Sequence, residues 1–273
     1  MILVTGASGQ LGGAILASLI NSGHEAVGSS RAGGAPGRRI DFDQPATIDF
    51  SQVDTLVLVS AGEAEDDVVI ARHDAAIAAA ERDGVQHVIY TSVTTAGDHL
   101  AFALAHRWTE RRLRNSSMSW TVLRNGLYAE LFGSLLTWSP EGLLSAFGPG
   151  SLAAATRHDL ADAAAIVAAD AARHSSRTYD LVGTPVSAAA VAQRLGVAVV
   201  TTSLEDRRAE LLGAGLKPFQ PSMLMSIYTA VRHGFLAQGN DDLRTVLGRS
   251  VQDGTEAAAN AVTLGRVVPA LRG

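Results

Sequence analysis

Cysteine is absent from the chain's 273 residues. Its absence excludes disulfides, thiolate metal sites, iron–sulfur clusters and cysteine nucleophiles. Lysine is nearly absent too, because Lys217 is the only one, and this excludes any mechanism that needs a lysine in the first half of the chain. No apolar run reaches the roughly 18 residues that predict a membrane-spanning helix. With a strand predicted from residue 2 onward, we expect no signal peptide and a cytoplasmic protein.

The composition predicts a globular protein with a sizeable core, since 47% of the residues are hydrophobic and 18% are charged. The formal net charge of −5 does not favour binding to nucleic acid or to an anionic membrane. Two His-Asp pairs, His73-Asp74 and His158-Asp159, lack the spacing of a metal coordination shell, so we predict no metal site. We expect Asp159 to cap a helix instead.

Three glycines, Gly6, Gly9 and Gly12, follow a short apolar run at the start of the chain. The run predicts a strand over residues 2–4, and the apolar spacing after Gly12 predicts a helix that extends to Ile20. Glycines let a backbone approach a pyrophosphate closely, and a helix N-terminus offers free N–H groups. This unit therefore favours dinucleotide binding; the alternative is a tight loop of any α/β protein.

Strand and helix patterns alternate along the first half of the chain. Strands are predicted over residues 25–30, 39–42, 54–60, 88–90 and 120–123, and helices over residues 67–82 and 102–114. This order predicts an α/β protein with a doubly wound parallel sheet, a Rossmann domain over residues 1–131 on which residues 151–183 pack back. We expect residues 132–150 and 184–273 to form a smaller, mainly helical C-terminal domain that shapes the substrate pocket.

The second half of the chain has weaker patterns. The glycine-rich segment 142–150 is predicted to be a loop, and residues 158–171 a helix. Ser187 and Ser203 are predicted to cap helices. The apolar stripe within residues 219–239 predicts either core packing or a homodimer interface.

The residues after the second strand bear on which dinucleotide is bound. An NAD site of this type carries an acidic residue about 20 positions after the glycines, whereas this chain has Ser29-Ser30-Arg31 there. Hydroxyl groups and a guanidinium suit a 2′-phosphate, so we predict NADPH rather than NADH. Arg38 and Arg39 could add to this site, or these arginines could be solvated loop residues.

Several motifs resemble the NmrA-like branch of the atypical short-chain dehydrogenases, and within it the bacterial NAD(P)H:quinone oxidoreductases. The resemblance rests on the glycine loop, on Tyr90-Thr-Ser92 and, with the most discrimination, on the block Leu123-Arg-Asn-Gly-Leu-Tyr128-Ala-Glu130. Residues 106–110, 155–159 and 179–183 fit the same group. The resemblance thus covers nearly the whole chain and implies an NADP-dependent oxidoreductase.

Typical short-chain dehydrogenases use a Ser, a Tyr and a Lys, with Tyr and Lys four residues apart and often a Glu four residues further on. If Glu110 is that Glu, His106 occupies the lysine position and Phe102 the tyrosine position. Ser92 fits the serine. The tyrosine handles the substrate proton, and Phe102 has no hydroxyl group. Alcohol–ketone chemistry by this route is therefore not expected.

A quinone acceptor requires less of the protein, because the anion formed by hydride transfer is delocalised and can take its proton from water or from a nearby His or Tyr. The resemblance implies direct transfer from NADPH without flavin, with His106 holding the nicotinamide ribose and Tyr128 or Asn125 lining the quinone side. The alternatives are a surface histidine for His106 and simple packing for Tyr128. Arg124 is predicted either to contact the pyrophosphate or to pair with Glu130.

The predicted cofactor contacts lie in the loops that follow the strands and on the helix of residues 102–114. Asp41 and Phe42 are placed there to flank the adenine. The full set is Gly6, Ser8, Gly9, Gln10, Leu11, Gly12, Ser30, Arg31, Arg38, Asp41, Phe42, Ser60, Ala61, Gly62, Thr91, Ser92 and His106.

A second hypothesis is non-catalytic. NmrA-like proteins include redox sensors that bind NAD(P) and regulate a partner, and the missing Tyr and Lys fit that role equally well. Reduction of isoflavone-like acceptors is a third, but that branch relies on a lysine that this chain does not supply. We favour the enzyme, acting on a small quinone-like acceptor.

Overall fold

The structure is a computed structural model that describes residues 1–33 and 37–267. Its strands are β1 (Ile2–Val4), β2 (Ala26–Ser30), β3 (Arg38–Arg39), β4 (Thr55–Leu58), β5 (His87–Val93), β6 (Ser119–Asn125), β7 (Thr137–Ser139), β8 (Gly142–Ser145), β9 (Ser151–Ala154), β10 (Arg177–Leu181), β11 (Thr184–Ser187) and β12 (Val199–Thr201). Its helices are α1 (Gln10–Asn21), α2 (Asp66–Arg82), α3 (Ala103–Arg114), α4 (Ala129–Ser134), α5 (Arg157–Ala169), α6 (Ala188–Leu195), α7 (Leu204–Gly213), α8 (Gln220–Arg232), α9 (Asp242–Leu247) and α10 (Gly254–Val267).

A seven-stranded sheet in the order β3-β2-β1-β4-β5-β6-β10 forms the centre of the molecule. Every neighbouring pair in it runs parallel. The strand order reverses at β1, between β2 and β4, which is where doubly wound proteins bind their ligands. The predicted doubly wound Rossmann sheet is confirmed.

Successive strand residues pack on opposite faces of this sheet, because side chains alternate along a strand. Leu3 and Leu56 lie in the core formed with α2. Val4 and Val57 lie in the core formed with α1 and α5. Both faces of the sheet are therefore buried. A ligand can reach the sheet only at the edge where the strands end.

The described residues beyond β6 build a third core. Its centre is aromatic: the rings of Phe132 and Phe147 are stacked with centroids 4.4 Å apart, and Phe147 lies 4.7 Å from Tyr228. Met225 and Tyr228 of the predicted apolar stripe are buried here, so this part of the stripe packs in the core. The homodimer stays a prediction.

Part of the chain returns to the main sheet. β10 extends it beside β6, and α5 packs on α1, where the Ser18 hydroxyl donates to Asp162 at 3.0 Å. The region after β10 is mainly helical but also contributes β11, paired with β9, and β12, paired with β8. The boundaries of the two predicted domains stay a prediction.

The prediction of a loop over residues 142–150 was wrong at its start, where β8 pairs with β7 and with β12. The glycine at this position lets two backbone segments pack closely together, and it does not mark a loop. Gly142 has φ +148°, and a Cβ at this position would lie 2.3 Å from the carbonyl oxygen of Ala198.

The structure also tests the predicted helix caps. Ser187 accepts from the N–H of Ala190 at 3.1 Å and Ser203 from that of Asp206 at 3.0 Å, so both caps are confirmed. The prediction for Asp159 was wrong, because Thr156 caps α5 and the Asp159 carboxylate is free to bind Arg249. Within the described ranges, no helix is long and apolar enough to cross a membrane.

Gly12→Ala is expected to destabilise the fold, because a Cβ there would lie 2.4 Å from the carbonyl oxygen of Gly6 and 2.8 Å from that of Thr5. Backbone atoms cannot move aside as a side chain would. We therefore expect the free energy of unfolding, measured in urea, to fall by about 1–3 kcal/mol. Gly213→Ala is the control, since nothing lies within 4 Å of its added Cβ. Equal stability of Gly12→Ala and the wild type would contradict the packing role.

Candidate active site at the ends of the parallel strands

The glycine loop joins β1 to α1 at the carboxyl edge of the sheet. Gly6 has φ +62°, a conformation that L side chains rarely adopt. The loop is tied to its neighbours on both sides: Ala7 donates its N–H to Ser29 at 2.9 Å, and the Thr5 hydroxyl accepts from the N–H of Val59 at 2.9 Å. The loop is therefore held against the ends of β2 and β4.

The start of α1 fits a phosphate. Gly9 is the N-cap and has no side chain to satisfy the first N–H groups. The N–H groups of Gln10, Leu11 and Gly12 donate to no backbone acceptor within the described ranges, and Ser8, Gly9 and Gln10 are exposed. Free N–H groups and the positive end of the helix dipole attract an anion to such a position.

The end of β2 carries the predicted 2′-phosphate site. Ser30 donates to the carbonyl of Gly33 at 3.4 Å. Arg31 is exposed and has no ion-pair partner in the described part of the chain. Arg38 is already engaged, because its guanidinium donates to the carbonyl of Asp49 at 3.2 Å, and Arg39 bonds to the Arg31 carbonyl at 3.4 Å. Arg31 therefore offers a phosphate a guanidinium that no hydrogen bond recorded in the described part of the chain engages.

One arginine that the sequence did not single out ties two of the predicted cofactor loops together. Arg72 on α2 binds Asp43 through both carboxylate oxygens, at 2.6 and 2.7 Å. It also donates to the carbonyl of Ala61 at 3.4 Å. The loop after β4 is thus fixed to the loop after β3, where Asp41 is bonded to Thr47 and Phe42 is half-buried.

His73, also on α2, lies in the interior beneath the site. It is fully buried, and burial lowers its pKa to about 3, so the ring is neutral. Its Nε2 accepts from the N–H of Ala61 at 3.0 Å, and its Nδ1 therefore donates to Thr109, 2.8 Å away. Val69, His73 and Ile77 share one buried helix face, and this spacing is the signal that could have identified the residue.

His106 lies in the first half of α3, beside β5. Its Nδ1 is 2.8 Å from the hydroxyl of Tyr90, a fully buried residue of β5. Burial, with Arg107 beside it, lowers the pKa of His106 to about 4, so this imidazole is neutral near pH 7 as well. Phe102 lies just before α3, with its ring 6.3 Å from that of His106.

Glu110, one turn further along α3, is the centre of an ion-pair cluster. Its carboxylate is fully buried and accepts from Arg124 at 2.7 and 2.9 Å, from Arg107 at 2.8 Å and from Arg114 at 3.2 Å. Burial alone would raise the pKa of Glu110, but the hydrogen bonds from Arg124 and Ser92 hold it below its ordinary value. The cluster locks α3 to the ends of β5 and β6.

Ser92 and Arg124 are drawn into this cluster. The Ser92 hydroxyl donates to Glu110 at 2.7 Å, so its proton is committed inside the protein. Arg124 has Glu110 as its carboxylate partner, so the pairing with Glu130, one of its two predicted alternatives, was wrong. Glu130 instead binds the backbone N–H of Arg157 at 3.1 Å. The contact of Arg124 with the pyrophosphate stays a prediction.

Asn125 and Tyr128 follow each other at and after the end of β6. Asn125 is buried, and its side-chain Oδ1 has no hydrogen-bond partner in the described part of the chain. Tyr128 caps α4 and is half-buried, with the Arg157 guanidinium 4.6 Å from its ring centre. Burial raises the pKa of the Tyr128 phenol, which therefore keeps its proton.

The predicted site residues thus converge on one edge of the sheet. The glycine loop follows β1, Ser30 and Arg31 follow β2, and Asp41 and Phe42 follow β3. Residues 60–62 follow β4, where the Ser60 N–H donates to Thr91 of β5 at 3.0 Å. His106 joins them through Tyr90. The free N–H groups and the arginine without an ion-pair partner among the described residues fit a phosphorylated dinucleotide, while the individual roles stay predictions.

Comparisons with known proteins agree with this architecture. Residues 2–106 match the NAD dependent epimerase/dehydratase family. An Aspergillus flavus protein described as an NmrA-like family domain-containing oxidoreductase is 32% identical over 58% of either chain. Quinone oxidoreductase 2 of Escherichia coli is 31% identical over 91% of this chain and 94% of its own length. The chain belongs to the NmrA-like branch of the atypical short-chain dehydrogenases.

Two solved structures are similar to this NmrA-like protein along nearly its whole length. Triphenylmethane reductase of Citrobacter sp., complexed with NADP(H), has a TM-score of 0.84 and 27% identity, with 96% of this chain and 100% of that chain covered. An NADPH-dependent quinone oxidoreductase of Escherichia coli, complexed with NADPH, has a TM-score of 0.82 and 30% identity, with 95% and 99% covered. The NmrA-like chain therefore shares their complete architecture.

Glu110→Gln is expected to destabilise this NmrA-like protein by about 3 kcal/mol, because it leaves three arginines around a neutral amide in the interior. Chemical unfolding followed by circular dichroism measures the loss. Glu256→Gln is the matched control, because the Glu256 carboxylate pairs with Arg194 at 3.0 Å but its side chain is 54% exposed. We expect this variant to lose less than about 1 kcal/mol of unfolding free energy. Similar losses in both variants would show that burial of the Glu110 cluster is not what stabilises it.

Proposed function

We propose that the protein is an NADPH-dependent oxidoreductase that transfers a hydride directly to a quinone-like acceptor without flavin. The observation that carries this proposal is the chemistry at the nicotinamide end of the site. Phe102 stands where related dehydrogenases have their tyrosine and His106 where they have their lysine. The ring of Phe102 packs toward the third core and the ring of His106, and it has no proton to give.

The acceptors that suit such a site are those whose reduction needs no proton from the protein. Hydride transfer to a quinone yields a delocalised anion that water can protonate. Hydride transfer to a triphenylmethane dye cation yields a neutral product and needs no proton at all. Simple ketones differ, because the alkoxide they form is a strong base and requires a positioned acid. The absence of a hydroxyl at Phe102 therefore selects electron-poor, delocalised acceptors.

The chain's own residues bind and orient the cofactor and the acceptor, while bound NADPH would supply the hydride. The free N–H groups at the start of α1 hold the pyrophosphate, and Arg31 with Ser30 holds the 2′-phosphate. His106 holds the nicotinamide ribose. Asn125, whose buried Oδ1 has no partner among the described residues, lines the acceptor side together with Tyr128. Such fixed placement of two reactants supplies much of the rate enhancement available to a hydride transfer.

The relatives support the same reaction class. Quinone oxidoreductase 2 of Escherichia coli is named for reduction of a quinone, and triphenylmethane reductase for reduction of a dye. Both acceptor types are delocalised and electron-poor. We propose that this protein shares that acceptor class.

Steady-state assays are expected to show NADPH oxidation with benzoquinones and naphthoquinones but not with simple ketones. The loss of nicotinamide absorbance measures the rate, and the purified protein should show no flavin absorbance. A triphenylmethane dye cation belongs in the panel, because it separates a narrow quinone preference from the wider acceptor class. Tight NADPH binding with no turnover of any acceptor would refute the enzyme and favour a nucleotide-binding redox sensor.

Arg31→Ala is expected to weaken NADPH binding about tenfold and to leave NADH binding unchanged, because a charged hydrogen bond to the 2′-phosphate is worth about 1.5 kcal/mol or more. Isothermal titration calorimetry with both cofactors measures the difference. Arg173→Ala removes another exposed arginine, located in the turn before β10 at the opposite edge of the sheet, and should change neither affinity. Equal affinities of the wild type for NADPH and NADH would contradict the assigned preference.

A further inference from the structure

The pair formed by Tyr90 and His106 has a defined hydrogen-bond direction. Tyr90 is fully buried, and within the described ranges His106 Nδ1, at 2.8 Å, is the partner that meets hydrogen-bond geometry. The hydroxyls of Ser60 and Thr109 lie near enough to lower the pKa of Tyr90. Thr109, however, already accepts from His73 and donates to the Ala105 carbonyl at 2.7 Å.

A buried hydroxyl that donates to nothing costs about 1–3 kcal/mol. Burial keeps the proton on the Tyr90 oxygen. The Ser60 hydroxyl has no hydrogen-bond partner in the described part of the chain and can donate to that oxygen, which directs the Tyr90 proton to His106 Nδ1. With Nδ1 as acceptor, a neutral imidazole carries its own proton on Nε2. Tyr90 contacts the ring at Nδ1, so Nε2 lies on the side away from the Tyr90 hydroxyl, and His106 as a residue is half-buried.

This direction matters because of the residue that His106 replaces. A lysine ammonium can only donate hydrogen bonds, whereas an imidazole nitrogen donates or accepts according to its tautomer. We propose that Tyr90 is a positioning residue that holds His106 as the Nε2–H tautomer, so that a neutral histidine donates to the nicotinamide ribose as a lysine would. This inference rests on the NADPH binding proposed above and assigns Tyr90, which that proposal does not use.

The second buried histidine supports the assignment by contrast. His73 has its Nε2 occupied by the N–H of Ala61, so it is the Nδ1–H tautomer and donates toward Thr109. Its ring meets that of Tyr90 edge-on, with centroids 5.4 Å apart. Two neutral histidines thus contact the ring of Tyr90, each with a tautomer set by its own backbone or side-chain partner.

Nitrogen NMR of the histidine rings in the cofactor-free, full-length protein tests the tautomer directly. The expected result is a protonated Nε2 and an accepting Nδ1 for His106 near pH 7, assigned by comparison with His106→Lys. A protonated Nδ1 would overturn the inference. This measurement needs neither a Tyr90 variant nor turnover, so it is decided even if the protein proves inactive with every acceptor.

Calorimetric binding of NADPH to Tyr90→Phe tests the consequence. Loss of the anchored donor is expected to weaken binding about three- to tenfold, the range for one hydrogen bond. The loss should vanish when Tyr90→Phe is made in a His106→Lys background, because an ammonium needs no tautomer set for it. An equal loss in both backgrounds would mean that Tyr90 acts only through packing, and no loss in either would also overturn the inference.

Tyr179→Phe is the matched control. Tyr179 on β10 makes the same contact elsewhere, with its hydroxyl 2.8 Å from Nδ1 of His174. Removing this hydroxyl should leave the NADPH dissociation constant unchanged. If NADPH fails to bind the wild type at all, the proposed function falls while the NMR result still reports on the Tyr90–His106 pair.

Discussion

The buried carboxylate of Glu110 is the interaction on which the geometry of the site depends. Three guanidinium groups from α3 and β6 and one hydroxyl from β5 converge on its two oxygens. Arg107 continues the network by donating to the carbonyls of Val93 and Thr94, which fixes the turn after β5. A buried carboxylate is tolerated only when it is fully paired. The pairing of Glu110 therefore fixes the distance of α3 from the sheet and its rotation about its own axis.

That placement has a chemical consequence one helical turn away. The position of α3 places His106 against the hydroxyl of Tyr90. Desolvation makes the charged forms of both groups costly, so the histidine is neutral and the tyrosine keeps its proton. The site therefore offers hydrogen-bond donors of fixed direction and no mobile proton, which suits hydride transfer to a delocalised acceptor.

The phosphate end of the site is held by different means. The part assigned to the pyrophosphate uses backbone groups: a glycine in a left-handed conformation, free N–H groups at a helix start, and close contact between Gly12 and the carbonyl of Gly6. Arg72 braces the neighbouring loops through Asp43. The two ends of the site thus have different supports, and His73 connects them by bonding both to Ala61 and to Thr109 on α3.

Much of the architecture could be predicted because it is local. The apolar strands, the glycine spacing and the capping residues Ser187 and Ser203 act over a few positions, and each was visible along the chain. Predictions failed where distant residues decide the structure. The segment beginning at Gly142 forms a strand because partners arrive from elsewhere in the chain, and Asp159 is drawn from a capping role by Arg249.

The sequence by itself determined the doubly wound class, the dinucleotide loop and the absence of a tyrosine–lysine pair, because these depend on residue type and spacing. Only the tertiary structure decided that Ser92 is committed to Glu110, that Arg38 is already bonded, and that Tyr90 meets His106. The physical reason is that hydrogen-bond direction and desolvation depend on which groups meet in space. The spacing of residues along the sequence does not specify these contacts.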